Sequence, residues 1–136
     1  MPSFSKASEE KLSQCHPDLQ TLFNEVIKHF DCTILVGYRG EEEQNKAFEE
    51  GKSRVRFPDG DHNKMPSEAV DVSPYPIDWK NTKRFYYFAG FVMCMAEFLQ
   101  YAGVINSGIG WGGDWDGDKD LDDQTLYDLV HFYIKE

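Results

Sequence analysis

The sequence predicts an α+β domain, a small antiparallel sheet with two long helices packed on it. Three observations carry this. Residues 17–30 and residues from about 81 to 101 repeat apolar side chains at helical spacing. Residues 32–38, 69–73 and 129–134 are short runs suited to strands, the first two β-branched and the last apolar. With 136 residues, 40% apolar and 15% aromatic, the chain can build one core, and residues 1–136 are expected to form one domain.

Residues 1–15 read as a polar lead-in, with a short helix over residues 8–13. Pro17 suits a first helical turn and Asp18 suits its positive end. Leu19, Leu22, Phe23, Val26, Ile27 and Phe30 then line one face. After the strand at residues 32–38, residues 41–50 form a helix with acids in its first turn and Gly51 as its terminator. Residues 52–66 are a polar loop, and Pro74 and Pro76 end the strand at residues 69–73. The second long helix starts at Asp78 or Asn81 and runs to about Tyr101, with Phe85, Phe88, Ala89, Val92, Ala96 and Leu99 facing inward and Gly103 after it. Residues 105–111 are a candidate strand, residues 112–123 an acidic loop, and residues 129–134 the last strand.

Fourteen Lys and Arg against 24 Asp and Glu give a net charge of −10. That balance argues against binding nucleic acid or an anionic membrane and favours cations. Three cysteines without CxxC spacing do not make a disulfide framework and point to a reducing site of synthesis. The N-terminus lacks the apolar stretch of a signal peptide. The uncharged run at residues 85–96 is far shorter than the about 20 residues a membrane span needs, so no membrane insertion is expected.

Among the four histidines, His16 and His29 sit at helix ends, where capping and dipole roles suffice. His62 lies in a polar loop nine residues before Asp71, a lone acid between Val70 and Val72. His131 follows Asp128 into an apolar strand. An ionised carboxylate in an apolar strand is costly unless it is paired or bound to a metal. Two readings fit: Asp71 pairs with Arg39, Arg54 or Arg56, or it joins His62 and His131 around a catalytic zinc with one open position.

The run from Asp61 to Pro76 resembles the zinc segment of the M15 peptidases, above all the L-alanyl-D-glutamate peptidases that serve as phage endolysins. Further matching stretches follow in the expected order: His16 to Gln20, Gly37 to Gln44, Gly112 to Asp118, Asp123-Gln124, and Asp128 to Phe132. The resemblance implies the architecture of that family. It implies one zinc per chain held by His62, Asp71 and His131, with Asp128 as catalytic acid/base and Arg39 stabilising charge at the scissile amide. Gln44, one helical turn beyond, supports Arg39 or lines the cleft. Two departures stand out. Gly60-Asp61-His62 replaces a common Ser-x-His, and Tyr133 replaces an acid that often follows the last ligand. If Asp128 to His131 were regular strand, Asp128 and His131 would point to opposite faces, so Asp128 is expected on a turn just before the strand.

Asp114, Asp116, Asp118, Asp120 and Asp122 alternate along the acidic loop, like the opening of an EF-hand. The likeness fails at its sixth place, Lys119, and its twelfth, Thr125. Calcium binding and a solvated acidic loop both remain open.

The function implied is a zinc endopeptidase cutting the L-alanyl-D-glutamate bond of peptidoglycan stem peptides. Alternatives are D-alanyl-D-alanine carboxypeptidase or dipeptidase activity on the same metal set, and a non-enzymatic calcium-binding module. As a phage endolysin it would be a monomer without a separate wall-binding domain. It would gather in the host cytoplasm and reach the wall with a holin-like partner.

Overall fold

The computed structural model describes residues 2–122 and 127–135, so Asp123, Gln124 and Thr125 lie outside the described residues. Helix α1, Lys6–Leu12, is capped by the Ser5 side chain, which accepts from the Ser8 amide. Helix α2, Pro17–Val26, starts at His16, whose Nδ1 accepts from the Asp18 amide at 3.0 Å. It ends before Phe30 because the chain tightens into three-residue turns, Lys28 onto Glu25 and His29 onto Val26. Strand β1 is Cys32–Val36 and helix α3 is Glu41–Glu49. A single 3₁₀ turn, Asp61–Asn63, interrupts the polar loop. Strand β2 is Ala69–Pro74, and α4, Thr82–Tyr101, is capped by Asn81. Gly51 and Gly103 follow α3 and α4 at positive φ. Strands β3, Gly108–Gly112, and β4, Asp128–Lys135, complete the fold.

The four strands form one antiparallel sheet in the order β1-β2-β4-β3. The predicted strand at residues 105–111 begins late, at Gly108. Asp18 at the start of α2 accepts from the Asn106 and Ser107 amides at 3.2 and 3.0 Å, which removes them from the ladder.

Alternation sorts the sheet's two faces. Val70 pairs with Phe132, and Asp71 pairs with His131, one residue along on each strand. Val70, Val72, Ile34 and Phe132 face the helical layer and are fully buried or nearly so. Phe132 sits at its centre, its ring 5.4 Å from Phe23 of α2 and 6.2 Å from Phe88 of α4. Leu19, Leu22, Val26, Val92 and Leu99 fill the space around it. Each such large side chain contributes about 1.5–3 kcal/mol on burial. Asp71 and His131 are thereby presented on the opposite face. Cys15 and Cys32 are buried and Cys94 is exposed, and all three are free thiols.

Candidate metal centre and its cleft

His62 comes from the 3₁₀ turn, and Asp71 and His131 from neighbouring strands. Their candidate ligand atoms lie within 4.8 Å of one another. Asp71 Oδ1 stands 3.1 Å from His62 Nε2 and 3.2 Å from His131 Nδ1. The other nitrogen of His62, Nδ1, is 2.8 Å from the Gly37 carbonyl, which only accepts, so Nδ1 carries a proton and donates it. In a neutral His62, Nε2 then offers a lone pair to a carboxylate oxygen. That contact is satisfied either by a second proton on Nε2, which makes it a hydrogen bond, or by a cation held between the two atoms.

The donor set fits zinc. Donors about 2.0–2.1 Å from one tetrahedral ion stand roughly 3.3 Å apart, close to the separations seen here. The Gly37 carbonyl is placed as the outer partner that would fix the ring orientation of a metal-bound His62.

His131 is held by an aromatic stack. Its ring lies 5.6 Å from both Trp115 and Tyr133, and those two rings stack at 5.4 Å. Tyr133, which stands where the resembling family often has an acid, thus supports the His131 ring by packing. Neither Trp115 nor Tyr133 was assigned a role from sequence, although Trp115 lies inside the motif from Gly112 to Asp118. His16 and His29 stay away from this centre: one caps α2, and the other lies beside Phe91, 6.3 Å between rings.

Arg39 faces Asp71 through its other oxygen, Nη2 to Oδ2 at 3.7 Å, so both readings of Asp71 describe contacts it makes. Arg56 instead lies near Glu49. Arg39 is held from several sides. Its amide donates to the His62 carbonyl at 2.8 Å, its carbonyl accepts from Asn63 Nδ2 at 2.8 Å, and its Nη1 donates to Gln44 Oε1 at 3.3 Å. Gln44 is buried, and its Nε2 donates to Ser53 Oγ and the Val55 carbonyl, both at 2.8 Å.

Asp128 is the first residue of β4 rather than part of a preceding turn. A register shift resolves the expected conflict with His131. Trp111 pairs with Phe132, yet the next residue, Gly112, pairs with Asp128, so β4 bulges between them. Asp128 and His131 consequently line the same cleft of about 900 Å³, together with Arg39, His62 and Asp71. The bulge needs Gly112, since a Cβ there would sit 2.3 Å from the Asp128 carbonyl oxygen.

Burial would raise the Asp71 carboxyl, but hydrogen bonds to His131 and His62 outweigh it and hold the group below the usual carboxylate range. Burial and the Asp71 charge push Asp128 up, against His131, His62 and Arg39. Burial would lower His131, but its bond to Asp71 and the Asp71 and Asp128 charges raise it above its ordinary value.

In the acidic loop, Asp114, Asp116 and Asp118 bring carboxylate oxygens within 4.8 Å, while Asp120 and Asp122 stand outside that group. Lys119 adopts φ +67°, and its amide donates to Asp114 Oδ2 at 2.9 Å. The buried Asp114 Oδ1 has no hydrogen-bond partner among the described residues. Burial, Asp116 and Asp118 raise the Asp114 carboxyl.

The family model described as phage L-alanyl-D-glutamate peptidase matches residues 2–134. Among solved structures, the Serratia marcescens L-Ala D-Glu endopeptidase ChiX is similar, with a TM-score of 0.73 and 24% identity. The match covers 98% of this chain and 90% of that one, and at this identity the likeness speaks for the fold. No curated protein sequence matches.

Two outcomes are expected. Gly112→Ala should displace Asp128 and lower peptide hydrolysis at least tenfold while bound metal per chain, read by atomic absorption, stays unchanged. In the metal-free protein, the raised His131 contributes stability below about pH 6.5, its unfolded value. That contribution is lost as pH rises through its folded value, while Asp71 stays ionised throughout. The rise in melting temperature on adding zinc should therefore be larger at pH 8 than at pH 6, measured by calorimetry.

Proposed function

The chain belongs to the phage L-alanyl-D-glutamate peptidase family, and we propose that it is a zinc-dependent endopeptidase cutting the L-alanyl-D-glutamate bond of peptidoglycan stem peptides. The observation that carries this is the convergence of His62 Nε2, Asp71 Oδ1 and His131 Nδ1 in a cleft that also holds Arg39 and Asp128. Two imidazoles and one carboxylate with an open position are a catalytic zinc set. Zinc held there would supply Lewis acidity, polarising the scissile carbonyl and bringing the pKa of a water to about 7.

The chain's own groups do the rest. Asp128 takes a proton from the attacking water and later gives it to the leaving amine. Its raised pKa suits that double use, and a bound dication would pull it back toward the ordinary range. Arg39 stays charged and stabilises the developing oxyanion. Gln44 and Asn63 hold Arg39 in place, and the Tyr133–Trp115 stack orients His131. The presence of Arg39 and Asp128 beside the donors favours an enzyme over a calcium-binding module.

The reading brings a setting with it. The proposed working unit is a monomer whose residues 1–136 form one catalytic domain. It passes from the host cytoplasm to the wall with a holin-like partner. No helix among the described residues is long and apolar enough to cross a membrane.

Mass spectrometry of fragments released from defined muropeptides tests the bond. New L-alanine C-termini are expected, whereas release of D-alanine would establish the carboxypeptidase alternative instead. Asp128→Ala should keep about one zinc per chain yet lose about 10²–10⁴-fold in rate. Full activity in a rigorously metal-free preparation would sink the zinc reading.

We propose further that Asp114, Asp116 and Asp118 bind calcium weakly, supported by the unpartnered Asp114 Oδ1 and the left-handed Lys119. Affinity should be about 10⁻⁴ M or weaker. Calcium titration of the zinc-loaded protein, followed by loop amide signals and turnover, checks this. No response up to millimolar calcium would leave a solvated acidic loop.

A further inference from the structure

We propose that Lys52 and Arg54 form a subsite for the free carboxylate of the D-glutamyl residue next to the scissile bond. The inference rests on the L-alanyl-D-glutamate reading above and deepens it. A glutamate whose nitrogen is in the scissile amide retains two carboxyls. A continuing peptide uses one of them, and the other stays ionised at neutral pH. An enzyme for this bond therefore meets an anion within a few bonds of the reacting atoms.

The chain as a whole does not favour anions. Its net charge is −10, yet the segment from Gly51 to Arg56 carries Lys52, Arg54 and Arg56 and no acid. Lys52 and Arg54 of that segment line the cleft that contains Arg39 and the candidate ligands. Long-range attraction of an anion is disfavoured by the overall charge, so these cations act at contact distance.

The segment is fixed to the reacting centre. Gln44 Nε2 holds Ser53 Oγ and the Val55 carbonyl at 2.8 Å each, while Gln44 Oε1 accepts from Arg39. Ser53 Oγ also accepts from the Val55 amide at 3.3 Å. Lys52 and Arg54 flank the pinned Ser53, so one buried amide sets both their placement and that of Arg39.

Competing uses of these cations are weak. Lys52 pairs with Glu50 at 3.3 Å with 75% of its side chain exposed, an arrangement that contributes little. Arg54 has no ion pair among the described residues. Asp59 and Asp61 line the same cleft, with Asp61 3.8 Å from Lys64. They repel a carboxylate from their own side and favour its placement beside Lys52 and Arg54. A guanidinium's planar fork matches a carboxylate bidentately, which a neutral carboxamide cannot reciprocate.

The test compares three L-Ala-D-Glu-L-Lys peptides with the zinc-loaded enzyme: unmodified, amidated at the free glutamyl carboxyl, and amidated at the terminal carboxyl. The unmodified peptide should be cut with kcat/KM about 10–100-fold above the glutamyl amide, as expected for one charge-assisted contact. Amidating the terminal carboxyl should change little. Arg54→Gln should bring the unmodified peptide down to the level of the glutamyl amide, mainly through KM, leaving the amide itself unaffected. Lys52→Gln should act in the same direction, and Arg54→Lys should restore part of the preference. Equal loss on all three peptides, or unaltered selectivity in Arg54→Gln, would overturn the subsite while leaving the activity intact. Selectivity governed by the terminal carboxyl would overturn it too, since the anion recognised would belong to the next residue. No cleavage of any peptide by the unsubstituted enzyme would remove the activity reading and the subsite with it.

Discussion

A single carboxylate oxygen, Asp71 Oδ1, lies within hydrogen-bond distance of two imidazole nitrogens, and the rest of the centre is arranged around it. Asp71 sits on a strand buried along its length, where an ionised group is tolerated only with compensation. The Gly37 carbonyl decides the form of that compensation. By accepting from Nδ1 of His62 it fixes the ring so that Nε2 faces the carboxylate, 3.1 Å away. The site is thus defined by an electrostatic requirement, which a metal ion would meet through donor types that zinc favours.

The sheet makes that arrangement possible by simple alternation. Val70 and Phe132 are paired on the apolar face, and Asp71 and His131 are paired one residue along on the other. The helices α2 and α4 cover the first face, so the same packing that stabilises the fold orients two of the three donors. Regular alternation would have sent Asp128 the wrong way. The bulge opposite Gly112 corrects this and places an acid in the cleft beside the candidate ligands. Stability and chemistry therefore diverge within four residues of one strand.

Electrostatics in the cleft is strongly local. The chain as a whole is acidic, yet Arg39 lies against Asp71, and Lys52 and Arg54 line the same space. Gln44, itself buried, links the segments that carry these cations through hydrogen bonds rather than charge. The acidic loop is linked to the His62–Asp71–His131 cluster by a different route. Trp115, between Asp114 and Asp116, packs at a tilt against His131, so movement of the loop would be felt by that ring.

The sequence by itself determined the main helices and strands and singled out the candidate donors His62, Asp71 and His131. Apolar spacing from Leu19 to Val26 and from Phe85 to Leu99 marks buried helix faces, and a lone Asp71 between two valines marks a carboxylate needing a partner. Ordered motifs from His16 to Phe132 led to the family because short-range residue patterns survive in one dimension. Only the tertiary structure decided how Asp128 shares a face with His131. That depends on a register shift between β3 and β4, and register is set by pairing between segments distant in the chain. The roles of Trp115, Tyr133 and Asn63 were hidden for the same reason. Each acts on a neighbour brought close only by folding, and a glycine carbonyl such as that of Gly37 carries no side-chain signal at all.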